Sequence, residues 1–336
     1  MLKNSDLIIS ADPAQAELED VVGVGAQVEL RELTVDPAHH GERLDKCLVG
    51  AIAEFSRSYL QQLIAQGAVD VNGAVCVKAS NRLKAGDKCR IALRATPQSR
   101  AFKPQAMPLQ IVFQDRHLLV VDKPAGLVVH PAPGNWSGTL LNGLLAYDAA
   151  FADVPRAGIV HRLDKDTSGL MLVARTRPVM DTLIQMIAAR SVQRQYIALA
   201  HRPWAGSATR EVSSPIGRDP KNRLRMAVVD LARHSGKAAR TSVELLRNGE
   251  TACLVRCTLH TGRTHQIRVH MASIGHALVA DSTYGGVADA GMHRQALHAF
   301  HLALAHPVSG QPLDFQSPLP GDLRAALGYW GFSLPG

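Results

Sequence analysis

The chain has 336 residues, 46% hydrophobic and 20% charged, which excludes a disordered, collagenous or disulfide-stapled protein and predicts about two domains. Thirty-seven Lys and Arg against 29 Asp and Glu leave a net +8, split unevenly: residues 1–36 carry −6 and the remaining 300 carry +14. So basic a body attracts polyanions, nucleic acid among them. No run approaches the roughly 18 apolar residues of a membrane span, and the N-terminus lacks a secretory pattern. Cys47, Cys76, Cys89, Cys253 and Cys257 are odd in number with no C-x-x-C pair, arguing against a disulfide framework or a zinc site. The expectation is a cytoplasmic protein with no metal and no membrane attachment.

In chain order, residues 1–41 read as an acidic, flexible head. Gly23 and Gly25 make a broken G-x-G, with Val28 where a third glycine belongs, so no dinucleotide loop is predicted. Leu44, Cys47, Leu48, Ala51 and Ile52 fall on one helical stripe. A second helix is predicted from a capping box at Ser58 and Gln61 to a stop at Gly67. Asn72–Gly73 between Val69–Val71 and Val75–Val77 is a strong hairpin signal. Lys78, Arg82, Lys84, Lys88 and Arg90 follow, giving a unit of about fifty residues too small for a large core and built for binding.

This segment, with Glu42-Arg43-Leu44-Asp45-Lys46, Ser56-Arg57-Ser58 and Val71-Asn72-Gly73, resembles the S4 RNA-binding domain, over residues 42–95. The resemblance implies RNA contacts from Arg43, Lys46, Arg57, Arg82 and Lys84. Residues 96–108, with Pro97, Pro104 and Pro108, read as a linker. Beyond them, short β-rich runs recur at 118–121, 127–129, 170–173, 196–199, 254–255 and 267–269, with a helical pattern at 180–189. The fold class is α+β, residues 109–336 forming a domain around a mixed, largely antiparallel sheet flanked by helices and loops.

The densest polar stretch is His161-Arg162-Leu163-Asp164-Lys165-Asp166-Thr167-Ser168-Gly169, between two apolar runs, where a scaffold would fix exposed side chains. It has three readings. Asp164, Asp166, Ser168 and Gly169 imitate the start of a calcium loop, but Arg175 stands where a bidentate Glu is needed. Asp, Thr, Ser and Gly also make an ordinary turn. The third reading is a carboxylate, Asp164, kept ionised by Arg162 and Lys165 beside a phosphate-bearing ligand. His260, His265 and His270 read as strand residues facing core or RNA, and Cys253 and Cys257 as core.

Arg156 to Leu170 resembles the active-site motif of the Rlu-type RNA pseudouridine synthases, together with Val121-Asp122-Lys123-Pro124, Val128-Val129-His130-Pro131, Thr261 to His270 and Arg294 to Ala299. The resemblance spans residues 42–320. It implies a cofactor-free enzyme that isomerises uridines to pseudouridine in 23S ribosomal RNA, with that RNA or a large-subunit precursor as partner and the chain a monomer. Asp164 is then the essential carboxylate for cleavage of the N1–C1′ bond. Arg268 is its cationic partner, Tyr196 the aromatic stacking on the target base, Arg162 the side chain entering the RNA helix in place of the extruded uridine, and Leu278 a residue packing on the base's other side. Asp166 is read as a turn residue. Ala280, before Asp281-Ser282-Thr283-Tyr284-Gly285, stands where the family usually has glycine. Rival readings are a non-catalytic rRNA assembly factor, a synthase acting on another rRNA or tRNA site, and an RNA glycosylase, although glycoside hydrolysis usually needs two carboxylates flanking the bond.

Overall fold

The computed structural model describes residues 29–52, 57–93, 101–132 and 134–334, in two compact units, 29–93 and 101–334. The expectations for Gly23, Gly25 and Val28, for Pro97, and for Ser56 and the Ser58 side chain as a cap lie outside the described residues.

The first unit runs β1 (Glu29–Thr34), α1 (Leu44–Ala51), α2 (Arg57–Ala65), β2 (Val69–Val71), β3 (Ala74–Val75) and β4 (Lys88–Leu93), an antiparallel sheet of order β1-β4-β2-β3. The α1 stripe is buried through Leu44, Cys47 and Leu48, packing with Leu60, Leu63, Ile64 and Ile91. Asn72 (φ 53°) and Gly73 (φ 81°) are both left-handed, the geometry that a two-residue turn needs to match strand twist. One expectation is corrected: β1 lies inside the segment read as a flexible head. Leu30 is exposed and Leu33 half-buried among Glu29, Arg31 and Glu32, so this edge strand lacks the apolar alternation that would reveal it.

The second unit contains β5 (Gln110–Gln114), β6 (Leu118–Lys123), α3 (Leu140–Tyr147), β7 (Ser168–Ala174), α4 (Arg177–Ala188), β8 (Val192–His201), β9 (Thr209–Val212), β10 (Ile216–Arg218), β11 (Met226–Val228), β12 (Gly236–Lys237), β13 (Thr241–Asn248), β14 (Ala252–Leu259), α5 (Gln266–Ser273), β15 (Leu297–Ala305), β16 (Pro312–Gln316) and α6 (Gly321–Tyr329). Its main sheet has the order β5-β6-β7-β15-β8-β14-β13-β9, with β16 paired to β15. Among the described strands only the short β7–β15 pairing is parallel, so the α+β class holds.

Central strands are buried on both faces, which is why they read as unbroken apolar runs. Leu119, Val121, Met171, Val173, Tyr196 and Ala198 share one core with α3 and α5, whereas Leu118, Val120, Leu170 and Leu172 pack with α4 on the other face. The period of two along a strand thus brings Tyr196 to the α5 side. A separate three-stranded sheet, β11-β10-β12, packs Ile216 and Met226 on Val269 of α5.

Three further readings are corrected. Residues 267–269 are helical, in α5. Gln266 through Met271 are all buried, so no polar face marks the helical period and β-branched Ile267 and Val269 imitate a strand. Residues 127–129 form no strand. Within the stretch read as a linker, residues 101–105 are tied to the second unit: Asn142 Nδ2 donates to the Ala101 and Lys103 carbonyls at 3.1 and 2.9 Å, and the Gln105 N–H to the Asn142 carbonyl at 3.0 Å.

Candidate active site

The polar loop 161–167 enters β7 with its turn closed by the Thr167 N–H on the Asp164 carbonyl at 3.1 Å. Two cations, one buried and one half-buried, fasten its backbone from outside. Lys123, fully buried at the end of β6, donates to the carbonyls of Pro124 (2.8 Å), Leu127 (2.9 Å) and Lys165 (2.9 Å). Burial pushes its ammonium down to about 8, while the three acceptors compensate the charge. Arg294 donates to the Asp166 carbonyl at 2.9 Å and pairs with Asp322 at 2.6 Å. Gln295 Nε2 reaches Thr167 Oγ1 at 3.2 Å, and Ser168 Oγ lies 3.0 Å from His298 Nδ1.

Asp164 opens on a cavity of ≈ 370 Å³ lined by Arg162, Lys165, His265, Arg268, Asp281 and Thr283 among others. A second recess shares Arg162, Asp164, His265 and Arg268 and adds Tyr196. The Asp164 side chain is 16% exposed and accepts from Arg268 Nη1 at 3.0 Å. Arg268, on α5 and 8% exposed, also donates from Nε and Nη2 to Asp281 at 2.7 and 2.8 Å. Hydrogen bonds and charge from both carboxylates outweigh burial and hold it protonated. Its guanidinium lies 5.0 Å from the Tyr284 ring centroid. His265 caps the start of α5 in a left-handed conformation (φ 55°), with Nδ1 2.8 Å from the Tyr284 hydroxyl and Nε2 3.9 Å from Asp164 Oδ1. Burial lowers its pKa while Asp164 raises it.

Tyr196 is 5% exposed on β8, its hydroxyl pushed up to about 12 by burial, so it is neutral at any working pH. Leu278 is not brought to this site. It is fully buried in the core beside Ala200 and lines neither recess; Leu259, Ile267 and Leu297 supply the apolar wall around Tyr196. A buried Leu and a recess-lining one look alike in sequence, because the side chain's direction depends on strand pairing. Asp166 contributes its backbone carbonyl to Arg294.

In the first unit, Arg43, Lys46, Arg57, Arg82 and Lys84 are exposed, but most are engaged within the unit. Arg43 and Arg57 pair with Asp45 at 3.0 and 2.8 Å, Lys46 with Glu42 at 2.7 Å, and Arg82 donates to the Gly41 carbonyl at 2.8 Å. Asp45 is fully buried and also accepts from Gln61 at 2.7 Å; Arg43 above all holds its carboxyl far below the usual range. The fixed carboxylate holds two half-exposed guanidinium groups on one side chain.

Sequence reasoning missed Lys123, Asp281, Tyr284 and Arg294 as parts of the site and assigned His265 to a strand. The blocks holding them, Val121 to Pro124, Ala280 to Gly285 and Arg294 to Ala299, were visible as motifs without a role. Among the described residues no helix is long and apolar enough to cross a membrane, and no three His, Cys, Asp or Glu side chains cluster for a metal ion.

Residues 117–273 match the family model for RNA pseudouridylate synthase, and residues 42–89 that for the S4 domain. The chain is 46% identical over 306 residues to ribosomal large subunit pseudouridine synthase D of Nitrosomonas europaea, covering 88% of this chain and 86% of that protein. Identity to the protein of the same name is 43% over 338 residues in Neisseria meningitidis serogroup B (96% and 86% covered) and 41% over 305 residues in Escherichia coli K12 (86% and 91%). Among solved structures, human RNA pseudouridylate synthase domain containing 1 superposes with a TM-score of 0.51 at 27% identity, over 67% of this chain and 90% of its own. With agreement running through both units at identities above 40%, the chain belongs to the RNA pseudouridylate synthase family and is an RNA pseudouridine synthase.

Proposed function

We propose that this enzyme isomerises specific uridines in 23S ribosomal RNA to pseudouridine, with Asp164 initiating cleavage of the N1–C1′ bond. The observation that carries this is the placement of a single carboxylate at the meeting point of two recesses, 3.0 Å from a buried guanidinium. Arg268 fixes the direction of the Asp164 carboxylate through one oxygen, so that the other is poised for a nucleotide. The base must leave its stack, at a cost of a few kcal/mol. Tyr196 faces it with an aromatic ring, an interaction worth roughly 1–3 kcal/mol per base, and the exposed Arg162 at the rim fills the gap in the RNA helix. The freed uracil turns and rejoins C1′ through C5. The C5 proton leaves, N1 gains one, and no group is lost or added.

Arg43, Lys46, Arg57, Arg82 and Lys84 contact phosphates of the same RNA, which steers docking and makes affinity salt-dependent. The S4 match and the names of the relatives support the large-subunit RNA, or a precursor particle, as the partner, with the chain acting as a cytoplasmic monomer. The test is the purified protein on unmodified 23S rRNA without metal or nucleotide. Pseudouridine forms, and Asp164→Asn abolishes it while retaining RNA binding. Release of free uracil would select a glycosylase, and binding with unchanged RNA an assembly factor. Pseudouridine formed only in another rRNA or in tRNA would move the substrate.

A further inference from the structure

Arg268 is held unequally. Asp281 takes two of its N–H groups, through Nε and Nη2, and Asp164 takes one, through Nη1. Asp281 is also the more firmly placed carboxylate, 1% exposed against 16% for the Asp164 side chain. Its backbone sits in a tight loop: the Asp281 N–H donates to the Leu278 carbonyl at 3.1 Å, and the Asp281 carbonyl accepts from the N–H of Tyr284 (3.0 Å) and Gly286 (2.9 Å). Leu278 roots that loop in the core, and a Cβ at Gly286 would meet the Leu278 carbonyl oxygen at 1.9 Å. Ala280, beside Asp281, has φ +60°, a conformation that persists only where the surroundings enforce it.

The geometry assigns Asp281 as a positioning residue, a permanent counter-ion that keeps Arg268 in place and compensated while Asp164 reacts. This rests on the reading of Asp164 as the reacting carboxylate. Whichever step Asp164 performs, bonding to C1′, adding to the ring or taking the C2′ proton, its charge is neutralised. Arg268 would then be a buried cation without a partner, a costly state, unless a second anion remains. Asp281 is that anion, its two carboxylate oxygens taken up by Arg268 Nε and Nη2.

The groups facing Asp164 are Arg268, His265, Arg162, Tyr196, Tyr284 and Lys123, and those facing Asp281 are Arg268, His265 and Tyr284. Removing the Asp281 charge leaves Arg268 with Asp164 as its one carboxylate partner among those contacts, so that the reaction of Asp164 strands a buried cation. The experiment measures kcat, KM and their pH dependence on unmodified 23S rRNA, using full-length protein shown to be folded by circular dichroism. Asp281→Asn is expected to lower kcat about 10–100-fold with KM changed less than about threefold and the acid limb of kcat moved to lower pH. Asp281→Glu, which keeps the charge on a longer arm, regains part of kcat and leaves the acid limb where it is in the wild type. A folded Asp281→Asn with wild-type kcat, or with a lowered kcat and an unmoved acid limb, overturns the assignment. If Asp281→Asn does not fold, Asp281→Glu decides: a folded variant that keeps at least part of kcat with an unshifted limb supports the assignment, and a folded variant with no kcat or with a shifted limb refutes it. Absence of pseudouridine with the wild type, or full activity of Asp164→Asn, would instead defeat the reading of Asp164 itself.

Discussion

Gly169 follows the Asp164 loop and pairs with Ala299 in the short parallel contact between β7 and β15. Its φ is +114°, and a Cβ there would stand 2.2 Å from the Ala299 carbonyl oxygen and 2.7 Å from the Ala299 carbon and nitrogen. Ordinary contact begins at 3.4 Å, so Gly169→Ala must part the two strands by roughly 1 Å while forcing an L side chain into a disfavoured backbone, costs of about 1–3 kcal/mol each. The expected destabilisation is therefore about 2–6 kcal/mol. The same displacement acts on Ser168 and its 3.0 Å contact with His298, and through the loop on Asp164. A misplacement of that size costs about 10²-fold in rate. Urea unfolding, followed by a pseudouridine assay well below the unfolding midpoint, measures both. A variant that loses less than about 1 kcal/mol and turns over at the wild-type rate would refute the account of this strand pairing.

Two other outcomes extend the test. His161 Nε2 accepts the Leu172 N–H at 2.9 Å, and burial, with the Arg194 charge, pushes its pKa down from 6.5 to about 3. The unfolded chain therefore binds more protons between those values, and stability falls as pH drops through that window. At pH 5 the loss is about 2 kcal/mol relative to pH 7, read as the difference in urea unfolding between wild type and His161→Gln, which retains an acceptor; equal slopes for the two proteins would exclude His161 as the source. Arg57→Gln is expected to weaken RNA binding and reduce the slope of log affinity against log salt by about 1, an outcome checked by binding titrations at several salt concentrations, with an unchanged slope removing Arg57 from the phosphate contacts.

Much of the first unit was legible because its signals are local. The α1 stripe, the Gly67 stop (φ +70°) and the Asn72–Gly73 turn each depend on a few consecutive residues. β1 was not legible, since its partner β4 lies more than fifty residues on and its own side chains are mostly polar. Helix α5 was misread for the opposite reason: burial on every side erased its period.

The candidate site divides in the same way. The polar loop around Asp164, the basic body and the motif blocks are properties of residue type and order, and they were enough to identify the family and its reaction. The motif resemblance names Arg268 as the cation that meets Asp164, but local residue order does not show it, because Arg268 lies 104 residues away and is brought within 3.0 Å by α5 packing Ile267 and Met271 under the sheet. Tertiary structure alone decided that Arg268 has a second and firmer partner in Asp281, that Lys123 clasps the loop's backbone, and that Leu278 faces the core. The physical reason is directional: hydrogen bonds and ion pairs require oriented donors at about 3 Å, and that orientation exists only once the strands have paired in register.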